Sequence, residues 1–438
     1  MRKIGFGFLG LVLVGIIYYF TLGKTQLITE VKQQVSSELT LLQKEGFSVD
    51  NRKVQERQEY FELSLNDTQK ALAFFNTHGV AMSANDIKAL EGSKLGIGLQ
   101  YLPDSYTSVA MDITPLTLPT KLTQNADASQ KKSLEALQKL LDKKALQVHI
   151  AMNKLGNGFK GYLKDIDETI ETQEKAHLTL HALSFEGTLE KGRLHSFTQK
   201  LQDLTLSISQ EFNTTLTDLV NTYENSGKGY KNSYTFASLK LSADHNNIEI
   251  KDVTMESISS IENKLASIEV INQSNQIEVL VKNKHYLLDD VNFTSLAKNL
   301  DISAFEKLQT IDPENKEEIN KVITQLLSKG VAFSIPTLSV GHLTLEKERL
   351  EGFDINAHFN IDKNIPIATL QNNPMGTLPY IDANLKIALS PSLMSYIIKD
   401  PKAMLAMMMF QPKNINGKKV YQVEIKDGKA LLNGKPIF

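Results

Sequence analysis

From Phe353 to Ile361 every second residue is apolar: Phe353, Ile355, Ala357, Phe359 and Ile361 alternate with Asp, Asn, His and Asn. The pattern returns in Ile381, Ala383, Leu385, Ile387 and Leu389. Successive side chains of a strand point to opposite faces, so this alternation specifies strands with one dry and one wet face. One-sided strands belong to antiparallel sheets; parallel strands, covered on both faces, read as continuous apolar runs joined by helices. Shorter alternations at Val148, Ile150 and Met152, at Leu178 and Leu180, at Leu204, Leu206 and Ile208, and at Ile277, Val279 and Val281 extend the pattern. Phe47 and Val49 open a strand that residues 59–65 close as a hairpin. The expected fold is mainly β with accessory helices (α+β), built of long curved antiparallel sheets.

Helical spacing marks the accessory elements. Leu27, Ile28, Val31, Val35, Leu39 and Leu42 recur three and four apart, which predicts an amphipathic stalk helix within 24–45. Asn66, Asp67 and Thr68 offer an N-cap to a helix carrying Ala71, Leu72, Phe74 and Phe75. Val109, Met111 and Ile113 form a strand that breaks between Pro115 and Pro119. Leu134, Leu137, Leu140 and Leu141 lie on one side of a helix around 131–144. A strong helix is expected near 312–329, with Asp312 as N-cap, Pro313 at the first helical position and Gly330 as its end. The polar stretch 221–233 reads as a loop dividing two β-rich regions, 46–225 and 226–438. Leu163-Lys-Asp-Ile166 and Ile250-Lys-Asp-Val253 echo each other without forming a repeat of domain length.

The N-terminus constrains location. Arg2 and Lys3 precede nineteen residues, Ile4 to Leu22, without a charge. As a helix they span about 28 Å, close to a bilayer's hydrocarbon thickness. Their Ile, Leu, Val and Phe residues favour insertion by roughly 4 to 7 kcal/mol. Ile4, Phe8, Leu11, Leu13, Ile16 and Ile17 would face lipid, with Tyr18 and Tyr19 at the interface. No small-x-small cleavage site follows, so residues 1–23 are expected to stay as an uncleaved, single-pass signal anchor. The basic flank keeps the N-terminus cytoplasmic and sends the bulk outward.

Composition removes several functions. With 48 basic and 50 acidic residues the net charge is −2, unlike the basic face of a nucleic-acid binder. No cysteine is present, which excludes disulfides, thiolate metal sites and a cysteine nucleophile. Gly156, Gly158 and Gly161 match G-x-G-x-x-G, but a strand rather than a helix follows, so a hairpin explains them better than a dinucleotide site. His177 and His181 are spaced like zinc ligands on a helix, yet they lie on the polar face of an alternating strand. The adjacent pairs Asp289, Asp290 and Glu317, Glu318 read as surface charge. Asn213 and Asn292 sit in acidic-x-Asn-x-Thr sequons, candidates for bacterial glycosylation of an exported domain. No catalytic, metal or cofactor site emerges.

Several stretches resemble the YdgA-like family of bacterial proteins across nearly the full chain. "GFSVDNRKVQERQEYFELSL" is similar to its opening hairpin. "YTFASLKLSADHNNIEIKDVTMES" and "LLDDVNFTSLAKNLDISAFEKL" resemble its central β and strand-to-helix segments, and "YQVEIKDGKALLNGKPIF" its closing strand and glycine turn. The resemblance implies a Gram-negative inner-membrane protein facing the periplasm and supplies no catalytic residues.

The expectation is therefore a noncatalytic envelope protein, without cofactor, that binds lipid or a partner protein through a β-rich surface or groove. A scaffold for envelope assembly, without a ligand groove, is the alternative; an enzyme with a scattered site ranks below both. One segment bears on the choice. "AMLAMMMF", residues 403–410, follows Asp400 and Pro401, an N-cap and a first-turn proline. A helix apolar on nearly all sides is expected to be buried. If exposed, Met404, Leu405, Met407, Met408 and Phe410 become candidate lipid or partner contacts.

Overall fold

The computed structural model describes residues 28–77, 82–102, 107–124, 128–171, 175–190, 193–209, 211–311, 315–365 and 374–437. Contacts divide the chain into two units, Met1–Glu224 and Asn225–Phe438. Both are mainly β, and the described strand pairings are antiparallel.

Helix α1 (Ile28–Lys44) begins the described part of the first unit. Its stripe of Val31, Val35, Leu39 and Leu42 is buried, so the amphipathic helix packs its apolar side into the core of the unit. It packs with the meander β1 (Phe47–Val54), β2 (Gln58–Leu65), β3 (Lys94–Tyr101), β4 (Thr107–Thr117) and β5 (Val148–Asn153). Between β2 and β3, α2 (Thr68–Thr77) starts where Asp67 Oδ1 accepts from the backbone N–H of Gln69 (3.0 Å) and Lys70 (3.1 Å). It contributes Phe74 and Phe75, whose rings meet Phe47 edge-on at 5.5 and 6.2 Å. Helix α3 (Ala128–Asp142) buries Leu140 and Leu141. The strand β4 includes Pro115, which pairs with Leu95, and ends at Thr117, between the two prolines as expected.

One buried charge is fully answered. Arg52 Nε donates to Glu59 Oε1 (2.7 Å), and the Tyr101 hydroxyl donates to Glu59 Oε2 (2.9 Å). Arg52 also donates to Ser36 Oγ on α1 (2.7 Å), so the network ties the helix to the sheet. Burial, and then the negative charge of Glu59, push the Tyr101 hydroxyl far above its ordinary range.

The rest of the first unit is β6 (Gly158–Leu163), β7 (Ile166–Glu171), β8 (Lys175–His181), β9 (Ser184–Glu190), β10 (Arg193–Ile208) and β11 (Phe212–Asn225). The long β10 pairs with β9 along its first half and β8 along its second. The glycine pattern at Gly156, Gly158 and Gly161 is the β5–β6 hairpin.

The second unit is a meander of β12 (Tyr230–Ala243), β13 (Asn246–Glu262), β14 (Leu265–Val281), β15 (Lys284–Asp301), β16 (Val331–Leu345), β17 (Glu348–Ile361) and β18 (Ile381–Leu389). The last pairs with β20 (Lys418–Lys426), which also holds the short β19 (Lys413–Ile415) and β21 (Lys429–Leu432). The strands β12 to β17 have 14 to 18 residues, about three times the usual length. Two-residue turns join them at Asp244 and His245, Asn263 and Lys264, and Lys282 and Asn283, all with positive φ. That is the mirror-image turn geometry that matches strand twist.

A seam crosses the middle of these strands. Asp252 (φ 50°) and Asp290 (φ 56°) adopt left-handed backbone in mid-strand. The ladders skip the residues opposite them, and register resumes unchanged at Val253 with Ser274 and at Val291 with Val340. Gly341 and Gly352 continue the line across β16 and β17. The consequence is a phase change in the apolar pattern. On β13 the apolar positions are Ile248, Ile250, Val253 and Met255; on β15 they are Tyr286, Leu288, Val291 and Phe293. Spacings of two, three and two would send the two halves to opposite faces of a regular strand. Here Leu288, Val291, Val340, Leu343, Leu350 and Phe353 belong to one cluster, so the seam returns both halves to one face. In the first unit Asp218 (φ 54°) and Ala182 (φ 53°) mark similar interruptions, and Asp165 Oδ1 accepts from the Ala182 N–H (2.9 Å).

Two expectations change. The stretch 221–233 is mostly strand, since β11 reaches Asn225 and β12 starts at Tyr230. The helix near 312–329 is one of two. After β15, Asp301 caps α4 (Ile302–Thr310), and Asn315, not Asp312, caps α5 (Lys316–Leu327); residues 312–314 lie outside the described residues. The membrane anchor 1–23, with Ile4 to Tyr19, also lies outside them. Among the described residues no helix is long and apolar enough to cross a membrane.

Candidate functional site: a half-exposed apolar sheet face

Directly paired residues share a face of a sheet, so the registers of the second unit define rows that run across the strands. Leu239, Ile250, Ile277, Leu288, Leu343 and Leu350 form one row, each paired to the next. Across the seam run Phe236, Val253, Ser274, Val291, Val340, Phe353 and Leu389. Two residues further lie Tyr234, Met255, Asn272, Phe293, Leu338, Ile355, Ile387 and Tyr421. Phe333, Phe359, Ala383 and Ile425 lie beyond, and at the opposite end run Leu241, Ile248, Val279, Tyr286 and Leu345. At ~3.3 Å per residue and ~4.8 Å per strand these rows cover a face about 40 Å along the strands and about 34 Å across them.

The reverse face carries the charges. Lys251 Nζ donates to Gln276 (2.9 Å), Lys240 pairs with Glu249 (3.3 Å), Lys231 with Glu256 (2.9 Å) and His285 with Glu278 (2.8 Å). Asp289, which meets Arg349 at 3.6 Å, belongs to this face.

The apolar face is poorly covered. In the first unit Phe47, Phe61, Leu63, Leu95 and Ile97 are essentially inaccessible to solvent. In the second, most row residues are half-buried, and Tyr234, Ile248 and Phe333 remain 36%, 37% and 40% exposed. Among the described residues α6 (Pro391–Ile397) packs on it, and α4 and α5 contact the end of β15. Ser390 caps α6 (Leu393 N–H to Ser390 Oγ, 3.1 Å), and Leu393, Tyr396 and Ile397 pack on Val340, Leu343 and Leu350. Burial raises the Tyr421 hydroxyl above its usual range at the far end of its row.

The methionine-rich helix, α7 (Pro401–Met409), starts where Asp400 Oδ1 accepts from the Lys402 N–H (2.7 Å). Its expected burial is overturned. Met404, Leu405, Met408, Met409 and Phe410 are exposed, Met408 and Met409 by 68% and 69%; Met407 is half-buried.

The remaining candidates stay apart from this face or hold no chemistry. His177 lies 3.3 Å from Asp167, and His181 lies 3.6 Å from Asp165; both aspartates are exposed and both histidines half-buried. No group of three metal-ligating side chains forms among the described residues. Glu317 pairs with Lys321 on the outside of α5 (2.7 Å). Asn213 is exposed on β11 and accepts from the Ser207 hydroxyl (3.0 Å). Asn292 is half-buried within β15, and its amide donates to the Asp290 carbonyl (3.2 Å). In the first unit a shallow cleft of ≈ 450 Å³ runs past Ala151, Lys160, Glu186 and Thr198, and the Thr188 and Ser196 hydroxyls on its wall lie 2.6 Å apart. Comparison of the chain with protein-family models, curated proteins and solved structures finds no match.

The site that sequence reasoning missed is the whole face. Its signal was present in the echo already noted. Leu163-Lys-Asp-Ile166, Leu216-Thr-Asp-Leu219, Ile250-Lys-Asp-Val253 and Leu288-Asp-Asp-Val291 all place an Asp at an interruption.

Proposed function

We propose that the chain is a noncatalytic, membrane-anchored protein of the Gram-negative periplasm that binds lipid acyl chains along the apolar face of its second unit. The observation that carries this reading is an apolar face of many rows that is half-exposed over most of its extent. Monomeric proteins rarely leave contiguous apolar patches beyond a few hundred Å² unless something binds there. A flexible hydrocarbon chain needs no polar partner, which suits rows that present almost none. The ~40 Å span exceeds the ~15 Å of one leaflet's hydrocarbon, so an extended acyl chain fits along it. The N-terminal anchor expected from the sequence would hold this face beside a source of lipid.

The test is displacement of a fluorescent fatty acid from the purified chain. Val279→Glu puts a carboxylate in the apolar rows, whereas Glu278→Gln alters the reverse face. Loss of binding in the first variant alone supports the reading. Absence of binding by the unmodified chain, or equal loss in both variants, refutes it.

A further inference from the structure

A second surface of the same unit faces outward with unusual chemistry. Amphipathic helices normally turn their apolar stripe to the core; α7 does the reverse. At 3.6 residues per turn, Met404, Leu405, Met408 and Met409 fall within an arc of roughly 140°. All four are exposed, whereas Ala403 and Met407 on the other side are half-buried. Phe410 and Ile415, the latter on the β19–β20 hairpin just after the helix, are exposed as well.

The segment that carries this stripe is basic. Residues 399–438 hold eight lysines against three acids, a surplus of five positive charges in a chain whose net charge is −2. Lys402 and Lys413 bracket the apolar stripe, are exposed, and have no acidic partner among the described residues. Lys399 and Lys418 pair with Glu348 and Asp354. Exposed Met, Leu and Phe rimmed by lysine is the composition of helices that lie in a bilayer's headgroup region. Flexible methionine side chains adapt to a fluid surface, and lysines near the plane are drawn to anionic headgroups.

We propose that α7 and the β19–β20 hairpin dock on an anionic phospholipid surface, with Met404, Leu405, Met408, Met409 and Phe410 entering the acyl boundary and Lys402 and Lys413 contacting the headgroups. This rests on the reading that the chain works beside a bilayer, but it does not need the sheet face to bind lipid. A second copy of this chain is the rival occupant. It is disfavoured because two such surfaces would bring like charges together.

The chain contains no tryptophan, so a single indole can report the contact. Met408→Trp is made in the full chain and reconstituted in vesicles of phosphatidylcholine with or without phosphatidylglycerol, carrying brominated acyl chains. The proposal expects several-fold stronger quenching in the anionic vesicles, reduced by high salt. Adding Leu405→Asp and Met409→Asp to Met408→Trp should abolish quenching, with an unchanged far-UV spectrum. Three results overturn the proposal: no quenching in either vesicle; equal quenching in both; or an indole shielded from aqueous quencher only where the chain self-associates. Quenching without displacement of bound fatty acid would leave this surface standing and remove the sheet-face reading. The reverse result would remove this surface alone.

Discussion

Gly352→Ala should break the seam of the second unit. A Cβ at Gly352 would lie 1.7 Å from the Val340 carbonyl oxygen, 2.6 Å from its carbon and 3.0 Å from the Gly341 oxygen. These are backbone atoms, so no side chain can rotate away. Relieving the closest contact to 3.0 Å requires β16 and β17 to separate by about 1.3 Å, which stretches a normal hydrogen bond beyond bonding distance. The bonds around the Val340–Phe353 and His342–Glu351 pairs are the ones affected. Losing two at about 1 kcal/mol each, with loosened packing of Val340, Phe353 and Leu389, destabilises the unit by about 3 to 5 kcal/mol. Gly417→Ala is the control. Nothing lies within 4 Å of its Cβ, and its φ of 80° exacts only a local conformational penalty, about 1 kcal/mol. Hydrogen exchange of peptides covering 338–355 reads the difference. At 1.36 kcal/mol per tenfold, 4 kcal/mol corresponds to opening about a thousandfold more frequent. Exchange in Gly352→Ala no faster than in Gly417→Ala would refute the close-approach argument.

Further outcomes follow from single residues. Phe333→Ala removes a ring that is 40% exposed; a ligand covering ~80 Å² of it would gain about 2 kcal/mol, so titration should show fatty-acid affinity falling roughly 30-fold. Tyr101→Phe leaves a buried Glu59 oxygen without its donor and should cost about 1 to 3 kcal/mol in urea unfolding. Because the folded Tyr101 holds its proton above the ordinary value, its contribution is complete below about pH 10 and declines as pH rises further; Tyr101→Phe should flatten that alkaline decline. Bonds from the Ala304 N–H and the Ser303 hydroxyl hold the Asp301 carboxyl below its usual range. Its stabilisation is therefore present above the ordinary aspartate value and lost as pH falls through the folded one. Asp301→Asn should keep the cap and remove that acid dependence, whereas Asp301→Ala should lose about 1 kcal/mol at neutral pH.

Much of the architecture was legible because antiparallel strands record their exposure in every second residue. The alternation in 353–361 and 381–389 is the β17–β18 pair with Ile355 opposite Ile387. Helix starts were legible where a cap lies next to its helix, as at Asp67 and Asp400. The apolar face was harder to see. Its two halves differ in phase by one residue, so a fixed period of two assigns Ile250 and Val253 to opposite faces. The phase change depends on left-handed backbone at Asp252 and Asp290, residues that read as ordinary surface carboxylates. The hairpin turns were hidden for a related reason: Asp244 with His245 and Lys282 with Asn283 take positive φ without glycine. The methionine helix misled because composition reports how apolar a helix is, not whether anything covers it.

If the apolar rows of the second unit hold acyl chains, photolabelling of the full chain with a diazirine fatty acid, mapped residue by residue, should give adducts at Ile248, Ile277, Leu338 and Phe333 and at their row neighbours, competed away by unlabelled fatty acid. Adducts on Lys251, Gln276 and Asp289, or scattered over both units without competition, would contradict that reading.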